Sequence, residues 1–197
     1  MNTPNAVDRL RWARLISVPP LLGGLFLATL VWLWVGVGQD AQSRWQVERA
    51  QKERASINYD TARALLLSAV RLSGGDSDAW TQRGIVARTL WLFRGTPVFQ
   101  QEAEAAFEQA AHLNPHGALA HYEHSRMYVF KGDYARAITL LQPALRLDPN
   151  NAGYWLEQAR AQGRLGDTSA ARASFARCAA LVLNPECEQG IQPKAQR

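Results

Sequence analysis

Between Leu15 and Gly38 the chain carries no charged residue, and the stretch from Leu21 to Val37 is almost wholly apolar. A helix needs roughly 20 apolar residues to cross a hydrocarbon layer, so the pattern predicts a transmembrane helix over 15–38. Pro19 and Pro20 fall in its first turn, where proline is tolerated. Trp12, Trp32 and Trp34 flank the run, as interfacial aromatic residues do. The run is longer than the apolar part of a secretory leader, about 7–15 residues, and reads as an uncleaved anchor. From Gln39 onward the apolar positions return at helical spacing, in blocks broken by glycine, proline, asparagine and aspartate.

The blocks repeat. Leu113-Asn114-Pro115, Leu147-Asp148-Pro149 and Leu183-Asn184-Pro185 recur at spacings of 34 and 36 residues. Gly132-Asp133 recurs as Gly166-Asp167, and Ala103, Ala137 and Ala171 keep the same spacing of 34. So do Phe107, Leu141 and Phe175, and so do Ala110, Ala144 and Cys178. Each glycine suits the left-handed residue that ends a helix, and each following aspartate suits the cap of the next. Asparagine or aspartate before proline marks a second boundary, an extended residue followed by a preset first turn. Small residues permit close helix approach, and a large residue one turn later fills the space beside them. The unit is helix, short turn, helix.

On these residues the chain resembles the tetratricopeptide repeat family, whose period is 34 residues. The resemblance covers Asp76 to Pro185, with an earlier, degenerate unit placing Ala62, Leu66 and Ala69 in its second helix. The family's small position in the first helix of each pair holds Gly84, Ser125 and Ala159, and its early aromatic position holds Trp80 and Trp155. His121 stands where tryptophan is expected, and about seven extra residues separate Gly84 from Ala103. The expected fold is all-α: a helical-hairpin solenoid of about 3.5 units preceded by one transmembrane helix. The expected divisions are a tail at 1–14, the span at 15–38, a juxtamembrane helix with the degenerate unit at 39–75, three units at 76–185 and a polar tail at 186–197.

The net charge of +5 changes little. Asp8 with Arg9, Arg11 and Arg14 precedes the apolar run, which leaves 19 Lys/Arg against 16 Asp/Glu from Gln39 on. That balance is too mild for a nucleic-acid reader. The arginines ahead of the run, the short tail and the long domain behind it favour an N-terminus inside the cell, although Arg44, Arg49, Lys52 and Arg54 follow the run. The expected location is therefore a bacterial inner membrane, with the domain in the periplasm.

Candidate chemistry is sparse. No GxSxG, HExxH or glycine-rich phosphate loop is present, so no catalytic residue and no cofactor is expected, nor a small-molecule substrate. His121 and His124 lie one turn apart near His112 and His116, but no spacing fixes a third metal ligand. They read as core or groove histidines, with a metal- or ligand-binding sensor as the competing function. Cys178 and Cys187 enclose eight residues across the turn at Asn184-Pro185, short enough for a reversing chain to close; outside the cytoplasm a disulfide stapling the otherwise uncapped C-terminus is expected, with two unpaired thiols as the alternative.

The resemblance implies binding of other proteins in a groove lined by the first helix of each pair. The family's positions place Arg54, Arg88, Arg126, Arg160 and Arg164 there, with Tyr122, Val129 and Phe130 among them. Guanidinium groups match carboxylates in bidentate geometry, so an acidic extended segment or an acidic C-terminus is the expected ligand. Leu90, Trp91, Leu92 and Phe93, in the insert, read as a longer first helix packing on the degenerate unit, with an exposed patch that docks a partner or touches a bilayer as the alternative. The expected role is a scaffold or adaptor in assembly of a bacterial envelope complex. A structural accessory subunit of a large membrane complex, held by its span, is the alternative.

Overall fold

The computed structural model describes residues 20–192, with side chains from Thr29 onward except Trp34. Among the described residues the secondary structure is helical and contains no strand. The helices are α1 (Pro20–Ala55), α2 (Tyr59–Leu72), α3 (Ser77–Arg94), α4 (Pro97–Leu113), α5 (Ala118–Lys131), α6 (Tyr134–Leu147), α7 (Ala152–Arg164), α8 (Thr168–Leu181) and α9 (Pro185–Ile191). The chain divides into two compact units, Met1–Ala41 and Gln42–Arg197.

The described part of the first unit is the opening of α1, where Leu30, Val31, Trp32, Leu33, Val35 and Val37 are exposed. Among the described residues no helix is long and apolar enough to cross a membrane. This corrects the expected span over 15–38. Of that run, only residues 29–33 and 35–38 have side chains among the described residues. Beyond Gly38, α1 continues through Asp40, Arg44, Glu48 and Arg49 to Ala55. Residues 15–19 lie outside the described residues, as do the tail at 1–14 and the last five residues, 193–197. The inner-membrane and periplasmic placement is withdrawn. With it goes the basis for an envelope-complex partner and for a subunit held by its span.

The second unit is a row of helical hairpins. Each turn is built by the residues that the repeat marks. Gly132 and Gly166 take left-handed φ values of 76° and 84°, which end α5 and the turn after α7. Asp133 and Asp167 then accept hydrogen bonds from the amides of Arg136 and Ala170, capping α6 and α8. Asp76 caps α3 in the same way through Asp78 and Ala79.

The repeated alanines and their large neighbours make the core. Ala103, Phe107 and Ala110 of α4, and Ala137, Leu141 and Ala144 of α6, are each at most 1% exposed. Gly84 of α3 lies so close to Phe107 that an added Cβ would sit 2.5 Å from the ring, which is why this unit has glycine where Ser125 and Ala159 stand in the next two. The degenerate first pair is α1 from Gln42 with α2. Val47 and Ala50 pack with Ala62, Leu66, Ala69 and Val70, and Val86 and Leu90 of α3 close the same cluster. Ser43 Oγ donates to the Ala69 carbonyl across this pair at 3.2 Å.

The extra residues lengthen a hairpin rather than a loop: α3 has 18 residues and α4 has 17, whereas α5, α6 and α8 have 14. Pro185–Ile191, read from sequence as the start of a tail, is the short helix α9.

Candidate partner-binding face

The first helices of the pairs, α3, α5 and α7, lie side by side and contact one another in order. Their side chains form a connected run. Arg88 of α3 is 5% exposed and reaches Glu123 of α5, with Nη1 2.6 Å from Oε2 and donating to the Glu123 carbonyl at 2.8 Å. Burial works against the Arg88 charge and the Glu123 carboxylate supports it. Its Nε is buried without a hydrogen-bond partner among the described residues. The guanidinium also stands 5.9 Å from the ring of Phe130 and 6.0 Å from that of Phe107, within cation–π range.

Glu123 serves a second arginine. Arg126, one turn on, places Nη1 3.4 Å from Glu123 Oε1 while keeping a third of its side chain exposed. The Arg126 guanidinium lies 5.6 Å from the Tyr122 ring, and Tyr122 packs against Tyr154 of α7 with centroids 4.7 Å apart. Phe130 is 51% exposed, and Val129 beside it is half-buried. On α7 the motif repeats, with Arg160 Nη1 3.5 Å from Glu157 Oε2.

The structure thus brings Arg88, Tyr122, Arg126, Val129, Phe130 and Arg160 onto three neighbouring helices. It does not leave the arginines as an open basic column. Arg88 is buried and paired, and Arg160 is bridged by Glu157 and by Glu186 of α9. Arg126 is the most weakly paired of the three, since Glu123 is shared and its contact is long, while the doubly bridged Arg160 is the more exposed, 47% against 34%. Arg54 and Arg164 stand in the last turns of α1 and α7. The residues that sequence reasoning missed are the acids. Glu123 and Glu157 hold the same place in successive units, two residues before the small position, where the unit before them has the amide Gln82, and each of the three is 8% exposed. Two glutamates 34 apart, each one turn ahead of an arginine, were the available signal.

The insert divides. Leu90 is 1% exposed and belongs to the core with Val86, because residues four apart share a helix face. Trp91 packs against the cluster around Phe107, and only Leu92 and Phe93 are exposed, with Phe93 5.7 Å from the Tyr59 ring.

Of the four histidines His124 is buried, His121 is partly buried, and His112 and His116 are exposed. His124 is 7% exposed and lies between Phe107 and Tyr128, with ring centroids at 5.7 and 5.6 Å. Burial pushes its imidazole down to about 4, and Arg136 and His121 act in the same direction against Glu104. Burial, with Arg146 nearby, also lowers His121. Among the described residues no group of three His, Cys, Asp or Glu side chains is placed to hold a metal ion.

Cys178 and Cys187 are joined in a disulfide, with Cα atoms 5.8 Å apart, linking α8 to α9. Both are fully buried.

Residues 122–182 match the tetratricopeptide repeat family. The fold is similar to that of residues 41 to the end of MamA from Desulfovibrio magneticus RS-1, at 16% identity and a TM-score of 0.60, covering 71% of this chain and 75% of that one. It is also similar to the tetratricopeptide domain of Arabidopsis OM64, at 18% identity and a TM-score of 0.55, covering 64% and 98%. A third likeness is to YrrB, a tetratricopeptide protein with an unusual peptide-binding site, at 18% identity and a TM-score of 0.54, covering 69% and 66%. At these identities the likeness is one of fold. Comparison with curated proteins gives no match.

Proposed function

We propose that this chain is a non-catalytic scaffold that holds an extended segment of a partner protein along α3, α5 and α7. The observation that carries the reading is the mixed character of α5. There an open guanidinium, Arg126, stands between Tyr122 and the exposed ring of Phe130, with half-buried Val129 beside them. Such a surface suits a segment that supplies apolar side chains to the rings and one carboxylate to the arginine. The pairing of Arg88 and Arg160 with carboxylates of the chain narrows the expected acidic segment to one with a single well-placed acid. The peptide-binding tetratricopeptide protein among the similar folds supports the same use of this architecture.

The test is a photo-crosslinking amino acid at Phe130, with Glu108 on the exposed side of α4 as a second position. Crosslinked partner should be recovered from the Phe130 position. Peptide mapping should find one extended segment containing Asp or Glu. Arg126→Glu should abolish that crosslink while leaving the helical circular dichroism signal unchanged. Crosslinking confined to the Glu108 position would overturn the assignment.

A further inference from the structure

The place after α7 where a further first helix would stack is filled by the chain itself. Asn184-Pro185 opens α9 just as Asp148-Pro149 precedes α7, with Asn184 Oδ1 accepting from the amides of Glu186 and Cys187. Three contacts hold this seven-residue helix. The disulfide ties Cys187 to Cys178 of α8. Gly190 lies flat against Phe175, leaving no room for a Cβ. Glu186 grips Arg160 with both oxygens, Nε to Oε1 at 2.8 Å and Nη2 to Oε2 at 2.6 Å. Arg160 occupies the same place in its unit as Arg126, 34 residues earlier. The two differ in one respect: Arg126 meets only the long contact from its own helix, and Arg160 has in addition a bidentate carboxylate from outside it. Bidentate geometry is how a guanidinium recognises the acid of a partner.

We propose that Glu186 is an internal stand-in for a carboxylate of a bound peptide, and that the Cys178–Cys187 disulfide latches it in place, so that a dithiol reductant opens the Arg160 position to an acidic partner segment. The proposal rests on the partner-binding reading of the α3, α5 and α7 face. The step is a two-electron exchange. A dithiol passes two electrons and two protons to the cysteine pair, the S–S bond breaks to give the Cys178 and Cys187 thiols, and the reductant closes to its own disulfide. Both sulfurs are buried, so the exchange proceeds through fraying of α9, whose Glu186, Glu188 and Gln189 face solvent. Once cut, α9 is far below the roughly 12–15 residues at which an isolated helix holds its shape. Its remaining ion pair is half exposed on both sides, the kind of contact that contributes little alone.

The experiment measures binding of a fluorescein-labelled octapeptide, one glutamate among leucine and phenylalanine residues, to the full chain by polarisation at fixed salt. The oxidised wild-type chain should bind weakest. Glu186→Gln, with the disulfide intact, should tighten binding about fivefold, the order expected for freeing one partly exposed guanidinium. Excess dithiothreitol should tighten the wild type by at least as much, and Gly190→Leu, which crowds α9 off Phe175, should do so without reductant. Arg160→Gln should cancel all three gains. Equal binding by oxidised, reduced and E186Q proteins, with the probe still lost on Arg126→Glu, overturns the latch and leaves the partner-binding face standing. No binding in any state overturns both. Should reduction unfold α7 and α8, seen as lost helicity, the oxidised E186Q protein decides.

Discussion

Protonation of His124 should be a principal weak point of the fold in acid. The imidazole lies between Phe107 and Tyr128, with Arg136 and His121 adding to the cost of a positive charge. Burial lowers it to about 4, against an ordinary value near 6.5 in the unfolded chain. The sign follows from linkage: the unfolded state binds the proton first, so the stability from neutral His124 is complete above about pH 6.5 and is lost as pH falls towards 4. Between pH 7.5 and pH 4.5 the loss from this one group is roughly 2.5 kcal/mol. His124→Phe keeps the ring stacking and removes the titration. Urea unfolding of both proteins, followed by circular dichroism at both pH values, isolates the effect, because the carboxylates shared by the two proteins cancel in the difference of differences. The wild type should lose roughly 2–3 kcal/mol more than the variant on acidification. Equal losses would show that the site accepts the charge by opening locally, and that burial between the rings is not what sets this histidine.

Two further outcomes follow from particular contacts. Gly84→Ala forces its methyl against the Phe107 ring and should cost about 1–3 kcal/mol, measured as a lowered urea midpoint, with Phe107→Leu in the same chain restoring part of the loss. Glu123→Gln leaves the Arg88 charge buried with no counter-charge and should cost about 3–5 kcal/mol, whereas Glu123→Gln combined with Arg88→Met should recover most of it.

The turns and the core were legible because both are local. Gly132-Asp133 and Gly166-Asp167 state their own backbone needs, and Ala103, Phe107 and Ala110 state a helix face at a repeating interval. The binding face was legible only by position. That Arg88 would be buried on Glu123, 35 residues away, depends on how α5 is rotated against α3, which no single helix pattern contains. For Leu90 the sequence left a choice between an exposed patch and packing on the degenerate pair, and its cluster with Val47 and Leu66 decides for packing. The helix α9 was hidden because seven residues are too few to display a period, and its order comes from the disulfide, the Asn184 cap and Arg160 rather than from an apolar stripe. The apolar run before Gly38 shows the converse. Its composition argued for a membrane crossing, and the described stretch of α1 does not supply one.

The lengthened pair α3 and α4 has a consequence for angular phase. Compared with α5 and α6, the two arms gain four and three residues, seven between them. At 100° per residue, seven residues turn the chain through about 700°, just short of two whole revolutions. One revolution is spent going out along α3 and one coming back along α4. Gly84 and Phe107 therefore meet as though nothing had been added, and the pair can grow a storey taller without rotating the surfaces it shows to its neighbours. An insertion of four residues at the same tip, two to each arm, would instead turn each arm by about 200°, and would turn the Ala103 and Phe107 stripe towards water.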